Sequence, residues 1–361
     1  CASERVLCPL AKKGHPAPAR WRIARRRTMP FFRKSQEGDR RSLFSLNFSK
    51  NPSWWPNNLL GNKGDLLGTG QFAEVYSATY LQTGQNVALK IMKAKPSDVV
   101  LQKSITREID ILTEVSSHPG IVGLLNHFRA EERVGLIFER CYGGELFDIL
   151  EATSINNVGD RIYKDKKGGA KIELSEQSVA TILGQILDVI QFIHRRGIVH
   201  RDMKLENIMF EKPFGSQEGG ALKIKMIDFG LSKRVSEGNM TEPCGSAYYT
   251  APEVMNAAKT GRPYSTPADM WSVGVIAYCL LCLEFPFDSD STLGVINASA
   301  RGQYSWPESI IISDDAKDFV GKCLQVAPEN RLTVQGALHH RWIRSLRLNN
   351  FAPPPPPGPP S

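Results

Sequence analysis

The sequence predicts an α+β protein of two lobes, a small strand-rich lobe followed by a larger helical one, and three patterns carry that expectation. From Asp65 to Ala94 the chain runs in short β-rich stretches broken at Thr83-Gly84, the pattern of a hairpin sheet. From Leu174 the period changes, and Val179, Ile182, Leu183, Ile186, Leu187, Ile190 and Ile193 recur at helical spacing between Ser175, an N-cap residue, and Gly197. A continuous apolar run from Val273 to Leu283 adds a buried helix further on.

Composition supports a folded body with a basic extension. The 361 residues are 41% hydrophobic and 23% charged, enough for one large or two small cores, which argues against disorder. Lys and Arg outnumber Asp and Glu by 45 to 37, yet 13 of the bases and only 3 of the acids fall in residues 1–50. The other residues carry 32 bases against 34 acids, so the basic excess belongs to the tail and no nucleic-acid partner is expected of the body. Only Cys279 and Cys282 stand in a C-x-x-C spacing, inside the apolar run and with no second pair or nearby His, so they read as buried helix thiols. Scattered cysteines fit a reducing compartment, the cytoplasm or else the nucleus. No stretch reaches the roughly 18 apolar residues of a spanning helix, and a soluble protein is expected.

Residues 1–60 read as a basic, disordered tail. The sequence opens at Cys1 and its first methionine is Met29, so either a fragment or translated upstream sequence is expected. Arg20, Arg22, Arg25, Arg26 and Arg27 would suit a transit peptide, but the apolar face of one is missing. Residues 153–171 are polar, Gly-bearing and aperiodic, an inserted surface loop. Residues 344–361 form a second tail, where Pro353 to Pro360 favours polyproline II and offers a ligand to a Pro-reading domain.

The chemistry lies between the tails. Gly68-Thr69-Gly70-Gln71-Phe72-Ala73-Glu74-Val75 sits between two β-rich runs, where glycine lets backbone N–H groups approach phosphate oxygens; a Rossmann site would need a helix here. Ala73 stands where a third glycine would complete the pattern. Lys90 ends Val87-Ala88-Leu89-Lys90, and Glu108 follows 18 residues later on a helix whose packed face is marked by Ile105, Ile109 and Leu112. A lysine held by that glutamate presents a fixed positive charge to phosphates.

His200-Arg201-Asp202-Met203-Lys204-Leu205-Glu206-Asn207 is followed by Asp228-Phe229-Gly230, 26 residues after Asp202. Phosphoryl transfer needs a carboxylate to orient the attacking hydroxyl and accept its proton, the catalytic role that fits Asp202. It also needs oxygen ligands for a hard cation, and Asn207 and Asp228 fit as metal ligands. Lys204 is placed to reach the transferring phosphoryl group. Ala251-Pro252-Glu253 closes the intervening segment 25 residues after Asp228.

From about Asp65 to Ile343 these motifs resemble the protein kinase family. Gly143-Gly144-Glu145-Leu146-Phe147-Asp148, Gly245-Ser246-Ala247-Tyr248-Tyr249 and His340-Arg341-Trp342-Ile343 are similar to the calcium/calmodulin-dependent group, especially calcium-dependent protein kinases. The resemblance implies a bilobal kinase domain over residues 61–343, with ATP and Mg²⁺ as cofactors, protein substrates and an ATP cleft between the lobes. It implies nucleotide contacts from Leu67, Gly68, Thr69, Gly70, Gln71, Phe72, Ala73, Val75, Ala88, Lys90, Glu108, Glu139, Cys141 and Glu145, with Phe138 as gatekeeper. It further implies that Arg331 pairs with Glu253 and that Asp269 anchors the catalytic loop. Glu145 and Glu206 match acids that bind an arginine N-terminal to the phosphoacceptor, and Ser246 matches the residue that contacts the catalytic Asp and Lys in Ser/Thr-specific members.

Two departures bear on regulation. No D-x-D-x-D-G loop follows Ile343, so the chain as given is not expected to sense calcium directly. Ile343 to Leu348 is basic and partly apolar but short for a calmodulin-binding helix, which leaves calmodulin as a candidate partner. The position where a phosphate would meet Arg201 matches Glu242, beside Thr241, so a fixed carboxylate is expected to replace part of that phosphate's charge and to leave the enzyme active without phosphorylation of that segment. A scaffold without catalysis would be expected to lack Lys90, Asp202, Asn207 or Asp228, and all four are present. A small-molecule kinase would lack the long segment from Asp228 to Glu253.

Overall fold

The computed structural model describes residues 51–70, 73–155, 160–164, 171–213 and 222–348. The first lobe is an antiparallel sheet of β1 (Leu66–Thr69), β2 (Ala73–Thr79), β3 (Asn86–Lys93), β4 (Leu124–Ala130) and β5 (Arg133–Glu139) in the order β1-β2-β3-β5-β4. The β2–β3 turn falls at Thr83-Gly84, where Gly84 has φ +72° and donates its N–H to the Tyr80 carbonyl. Helix α1 (Val99–Val115) crosses between β3 and β4, its first turn capped by the Asp98 side chain accepting from Leu101 N at 3.0 Å.

Register gives the sheet two different faces. Val75 lies opposite Lys90 and Ala88 opposite Phe138, so the strand period of two puts all four on one face. The other face carries Val87, Leu89, Ile91 and Ile137, packed with Trp55, Leu60, Ala78 and Tyr80 in a cluster of its own. Residues 51–60, which composition groups with the disordered tail, are therefore folded. Trp55 is only 3% exposed and donates its indole N–H to the Gly61 carbonyl at 2.8 Å.

The second lobe starts with α2 (Leu146–Ala152). The segment expected to be a loop follows, but it holds β6 (Thr153–Ile155), β7 (Arg161–Lys164) and β8 (Lys171–Glu173), paired antiparallel in that order. Buried Arg161 ties this small sheet to the lobe, donating Nε to the Leu174 carbonyl at 2.8 Å and Nη1 to the Leu281 carbonyl at 2.9 Å. Strands of three or four residues are too short for alternation to show in the sequence.

Helix α3 (Glu176–His194) begins where the periodicity places it, with Ser175 Oγ accepting from Ser178 N at 3.2 Å. After it come β9 (Ile198–Val199), β10 (Ile208–Phe210), β11 (Ile224–Met226) and β12 (Lys233–Arg234), the short strands that hold the central loops. The lobe is completed by α4 (Pro252–Thr260), α5 (Pro267–Cys282), α6 (Thr292–Arg301), α7 (Asp314–Cys323), α8 (Val334–His339) and α9 (Arg341–Leu348). Every residue of α5 from Ala268 to Cys282 is buried, and Cys279 and Cys282 are free thiols there, as expected. Arg331 grips Glu253 at the start of α4 through paired contacts of 2.7 and 3.1 Å.

Trp342 and Ile343, on the first turn of α9, are buried against the lobe, so calmodulin would have to pull them out to use this helix. Among the described residues no helix is long and apolar enough to cross a membrane. The Pro353–Pro360 run lies outside the described residues. If residues 51–60 belong to the fold, Trp55→Ala will lower unfolding free energy by about 3–5 kcal/mol in urea titration; an unchanged midpoint would place them outside it.

Candidate active site

Strand β3 carries Lys90 onto the cleft face, and α1 presents Glu108 from the side that buries Ile105, Ile109 and Leu112. Lys90 Nζ lies 2.6 Å from Glu108 Oε1 and 3.2 Å from Asp228 Oδ1, with all three side chains buried. Burial alone would lower the Lys90 pKa, but Asp228 and Glu108 more than reverse this and keep the ammonium charged. Burial pushes the Asp228 carboxyl up, yet Lys90, Lys204 and the Gly230 N–H bring it below the ordinary carboxylate range.

The catalytic loop hangs from α5. Asp269, in the first turn of α5, accepts from His200 N and Arg201 N, each at 2.9 Å, and from His194 Nε2 at 2.8 Å. These bonds hold Arg201 at φ +67°, a conformation costly for a side-chain-bearing residue. Burial lowers the His200 pKa despite nearby Asp269, so the ring is neutral at physiological pH, and it packs 5.0 Å from the Phe229 ring.

Asp202 is then surrounded by donors. Lys204 Nζ lies 2.7 Å from Asp202 Oδ2, and Ser246 Oγ donates to Asp202 Oδ1 at 3.2 Å. Lys204 Nζ also reaches Ser246 Oγ at 3.2 Å, closing a triangle. Asn207 Nδ2 donates to the Asp202 carbonyl at 2.8 Å and to Oδ2 at 3.2 Å. Ser246 comes this close because Gly245 precedes it: Gly245 has φ +88°, and a Cβ there would sit 2.7 Å from the Arg201 carbonyl oxygen.

One atom beside this network points to a cation. Asn207 Oδ1 is buried and has no hydrogen-bond partner, an arrangement that costs free energy unless something fills it. With the ionised Asp228 carboxylate it makes a donor set of hard oxygens, which fits Mg²⁺.

The other expected site residues are distributed as follows. Leu67, Gly68 and Thr69 lie on β1, Ala73 and Val75 on β2 and Ala88 on β3, and Gly70 N donates to the Ala73 carbonyl at 2.7 Å. Gln71 and Phe72 lie outside the described residues. The Glu139 side chain accepts from Gly123 N and Lys225 Nζ, both at 2.7 Å, which braces the interlobe segment. Cys141 follows in that segment, its thiol pushed up to about 12, first by burial and then by Glu139. Glu145 stands at the N-cap position of α2 without a side-chain capping bond and its backbone pairs with Met209, while Glu206 lies in the turn Leu205–Asn207 against which α2 packs; both are buried, at 2% and 1% exposure. His194, Lys225 and Tyr264 were not legible as site residues, because each stands alone in the sequence and gains its role only through a distant partner.

The expected pairing of Arg201 with the Glu242 carboxylate is not formed. Arg201 Nε donates to the Leu231 carbonyl at 2.6 Å and Nη1 to the Tyr264 hydroxyl at 3.3 Å. Tyr264 in turn donates to the Glu242 backbone carbonyl at 2.9 Å, leaving the Glu242 side chain exposed. Glu242→Ala should therefore keep kcat within about twofold. Tyr264→Phe should lower unfolding free energy by about 1–2 kcal/mol through the lost bonds and lower kcat. The reverse order of effects in peptide phosphorylation would restore the carboxylate's role.

Comparison with known proteins agrees with this geometry. Residues 62–343 match the model of the protein kinase domain. A calcium-dependent protein kinase of Arabidopsis thaliana is 34% identical over 311 residues, covering 84% of this chain and 52% of the relative. A calcium/calmodulin-dependent serine/threonine-protein kinase of Oryza sativa subsp. japonica is 36% identical over 288 residues, covering 78% and 44%. Myosin light chain kinase A of Dictyostelium discoideum is 36% identical over 288 residues, covering 79% and 88%. The chain thus spans about half the length of the plant relatives it matches. A lysine–glutamate pair, an anchored catalytic loop and this degree of identity lead to one assignment: the chain belongs to the protein kinase family, as a catalytic domain of the calcium/calmodulin-dependent group.

Proposed function

We propose that this domain transfers the γ-phosphoryl group of ATP, with Mg²⁺, to serine or threonine of protein substrates that carry an arginine N-terminal to the acceptor. The observation that carries the reading is the triangle of Asp202, Lys204 and Ser246, set beside the buried Lys90–Asp228 contact.

In this reading Val75 and Ala88 offer an apolar surface to the purine, on the sheet face that also bears Lys90. Lys90, held by Glu108, fixes the α- and β-phosphates. Asp202 orients the substrate hydroxyl and accepts its proton as the oxygen attacks phosphorus. Lys204 offers its ammonium to the phosphoryl oxygens, and Ser246 keeps Asp202 and Lys204 in register. Asn207 Oδ1 and Asp228 would hold Mg²⁺, which when bound neutralises charge on the phosphate oxygens. Glu145 and Glu206 supply the negative charge for a substrate arginine. Free buried thiols favour a reducing compartment, and we assign the domain to the cytoplasm. A nucleotide-binding scaffold without transfer is the less favoured reading, since Lys90, Asp202, Asn207 and Asp228 are all retained in the sequence.

A positional peptide library with Asp202→Asn as the blank tests the proposal. Transfer to Ser and Thr but not Tyr, with arginine selected three residues before the acceptor, is expected, and the blank should fall by about 10²–10⁴-fold. No transfer by the parent domain would overturn it. Asn207→Ala should raise the Mg²⁺ concentration for half-maximal rate by at least about tenfold; an unaltered Mg²⁺ dependence would remove Asn207 from the metal site.

A further inference from the structure

The segment that joins the two lobes is fastened at both ends to the chain that forms β10 and β11. At its start, the Glu139 carboxylate accepts through one oxygen, Oε1, from Lys225 Nζ of β11 and from Gly123 N, each at 2.7 Å. Glu139 N returns a bond to the Gly123 carbonyl at 3.0 Å. At its end, Tyr142 N donates to the Glu211 carbonyl at 3.1 Å and Gly143 N to the Phe210 carbonyl at 3.0 Å, while Phe210 N donates to the Gly144 carbonyl at 3.0 Å. Arg140 and Cys141 are thereby suspended between two attachments.

The same strand pair carries both proposed metal ligands. Asn207 precedes β10, Asp228 follows β11, and Ile227 N closes the pair by donating to the Asn207 carbonyl at 3.0 Å. Phe138 of β5 lies opposite Ala88, so the interlobe segment leaves the first sheet at the edge of the surface proposed for the purine. β10 and β11 therefore connect the purine end of the cleft to its phosphate end. The bonds at Tyr142, Gly143 and Gly144 join backbone groups, which most residues supply, whereas the contact at Glu139 needs an ammonium at position 225.

We infer that Lys225 is a positioning residue for the nucleotide: by holding the Glu139 carboxylate it fixes the interlobe segment against the purine, at a set distance from Asn207 and Asp228. The inference rests on the ATP reading proposed above and adds one residue to it.

Burial decides that this pair differs from an ordinary surface contact. Exposed ion pairs contribute little, because water screens the charges and two long side chains lose freedom. The Lys225 side chain, however, is only 12% exposed, and that of Glu139 is 35% exposed. Replacing the ammonium by an apolar group leaves a partly buried carboxylate without its cation, and the way to relieve this is for Glu139 to turn towards water. The loop before β4 would not follow it. Val122 N donates to the Met226 carbonyl at 2.9 Å and Met226 N to the Gly120 carbonyl at 2.8 Å, so that loop stays joined to β11 through its backbone. The freedom gained falls on Glu139 to Cys141, beside the purine, and not on the residues that face the phosphates.

Isothermal titration calorimetry of the full chain without Mg²⁺ tests this with ATP, adenosine and inorganic tripolyphosphate, with steady-state kinetics alongside. Lys225→Met should weaken ATP and adenosine alike by about fivefold or more and leave tripolyphosphate within about twofold. KM for ATP should rise by the same factor, with kcat at saturating ATP within about twofold of the parent. Lys225→Arg, which keeps the charge, should restore adenosine binding. Glu139→Gln should reproduce the loss, and the double variant Lys225→Met/Glu139→Gln should lose no more than either change alone, because both break one contact. Equal weakening of all three ligands would show that Lys225 acts through the fold as a whole and overturns the inference, as do additive losses in the double variant. Parent-like adenosine affinity in Lys225→Met, with peptide still phosphorylated, overturns it and leaves the proposed function intact. A parent chain that binds neither ATP nor adenosine overturns both. Should Lys225→Met fail to fold, Glu139→Gln carries the same comparison of the three ligands.

Discussion

The arrangement of the cleft depends on one ammonium group. Lys90 Nζ touches a carboxylate from the helix of its own lobe and another from the loop at Asp228, so three chain segments meet at one buried charge. Such a cluster adds little net stability, because withdrawing each ion from water costs about what the attraction returns. Removing its centre is another matter, since two buried carboxylates would face each other without a cation. Lys90 therefore determines where α1 lies and which way Asp228 points, more than how stable the fold is.

The catalytic loop is fixed by a second buried carboxylate that works differently. Asp269 is neutralised by two backbone N–H groups and a histidine, not by an ammonium, and these bonds hold the Arg201 backbone in its left-handed conformation. Burial raises the pKa of both Asp228 and Asp269, and in both the partners bring it below the ordinary range. The two anchors meet where Phe229, next to Asp228, packs on His200, whose N–H Asp269 holds. The reacting groups are thus fixed from the first lobe through Lys90 and from the second through Asp269.

What could be read beforehand follows from how each feature is encoded. Asp202, Asn207 and Asp228 were legible because their chemistry demands particular residue types in a fixed order, and α3 because a long amphipathic helix repeats its period many times. The small sheet β6–β8 was not, because strands this short show no alternation and the anchor, Arg161, looks like an ordinary surface base until its carbonyl partners are known. Trp55 packs beside Trp54 in a segment without a periodic pattern, so that segment passed for tail. Glu242 shows a further limit: the residue was correctly placed near Arg201, but the loop backbone presents its carbonyl to Tyr264 and turns its carboxylate to water.

Asn207 shows how satisfied bonds can define an unsatisfied one. Its Nδ2 group donates to the Asp202 carbonyl and carboxylate, which fixes the amide plane and leaves Oδ1 directed elsewhere. Turning the amide over would set Oδ1 against those two oxygens with no proton between them, so the orientation is determined by chemistry as well as by shape. An aspartate at this position would oppose Asp202 in the same way. An alanine would lose both the donor that steadies Asp202 and the oxygen proposed for Mg²⁺. The amide donates to one acid while offering a hard oxygen to the cation proposed beside the other, so a neutral side chain that both donates and accepts suits the position between Asp202 and Asp228.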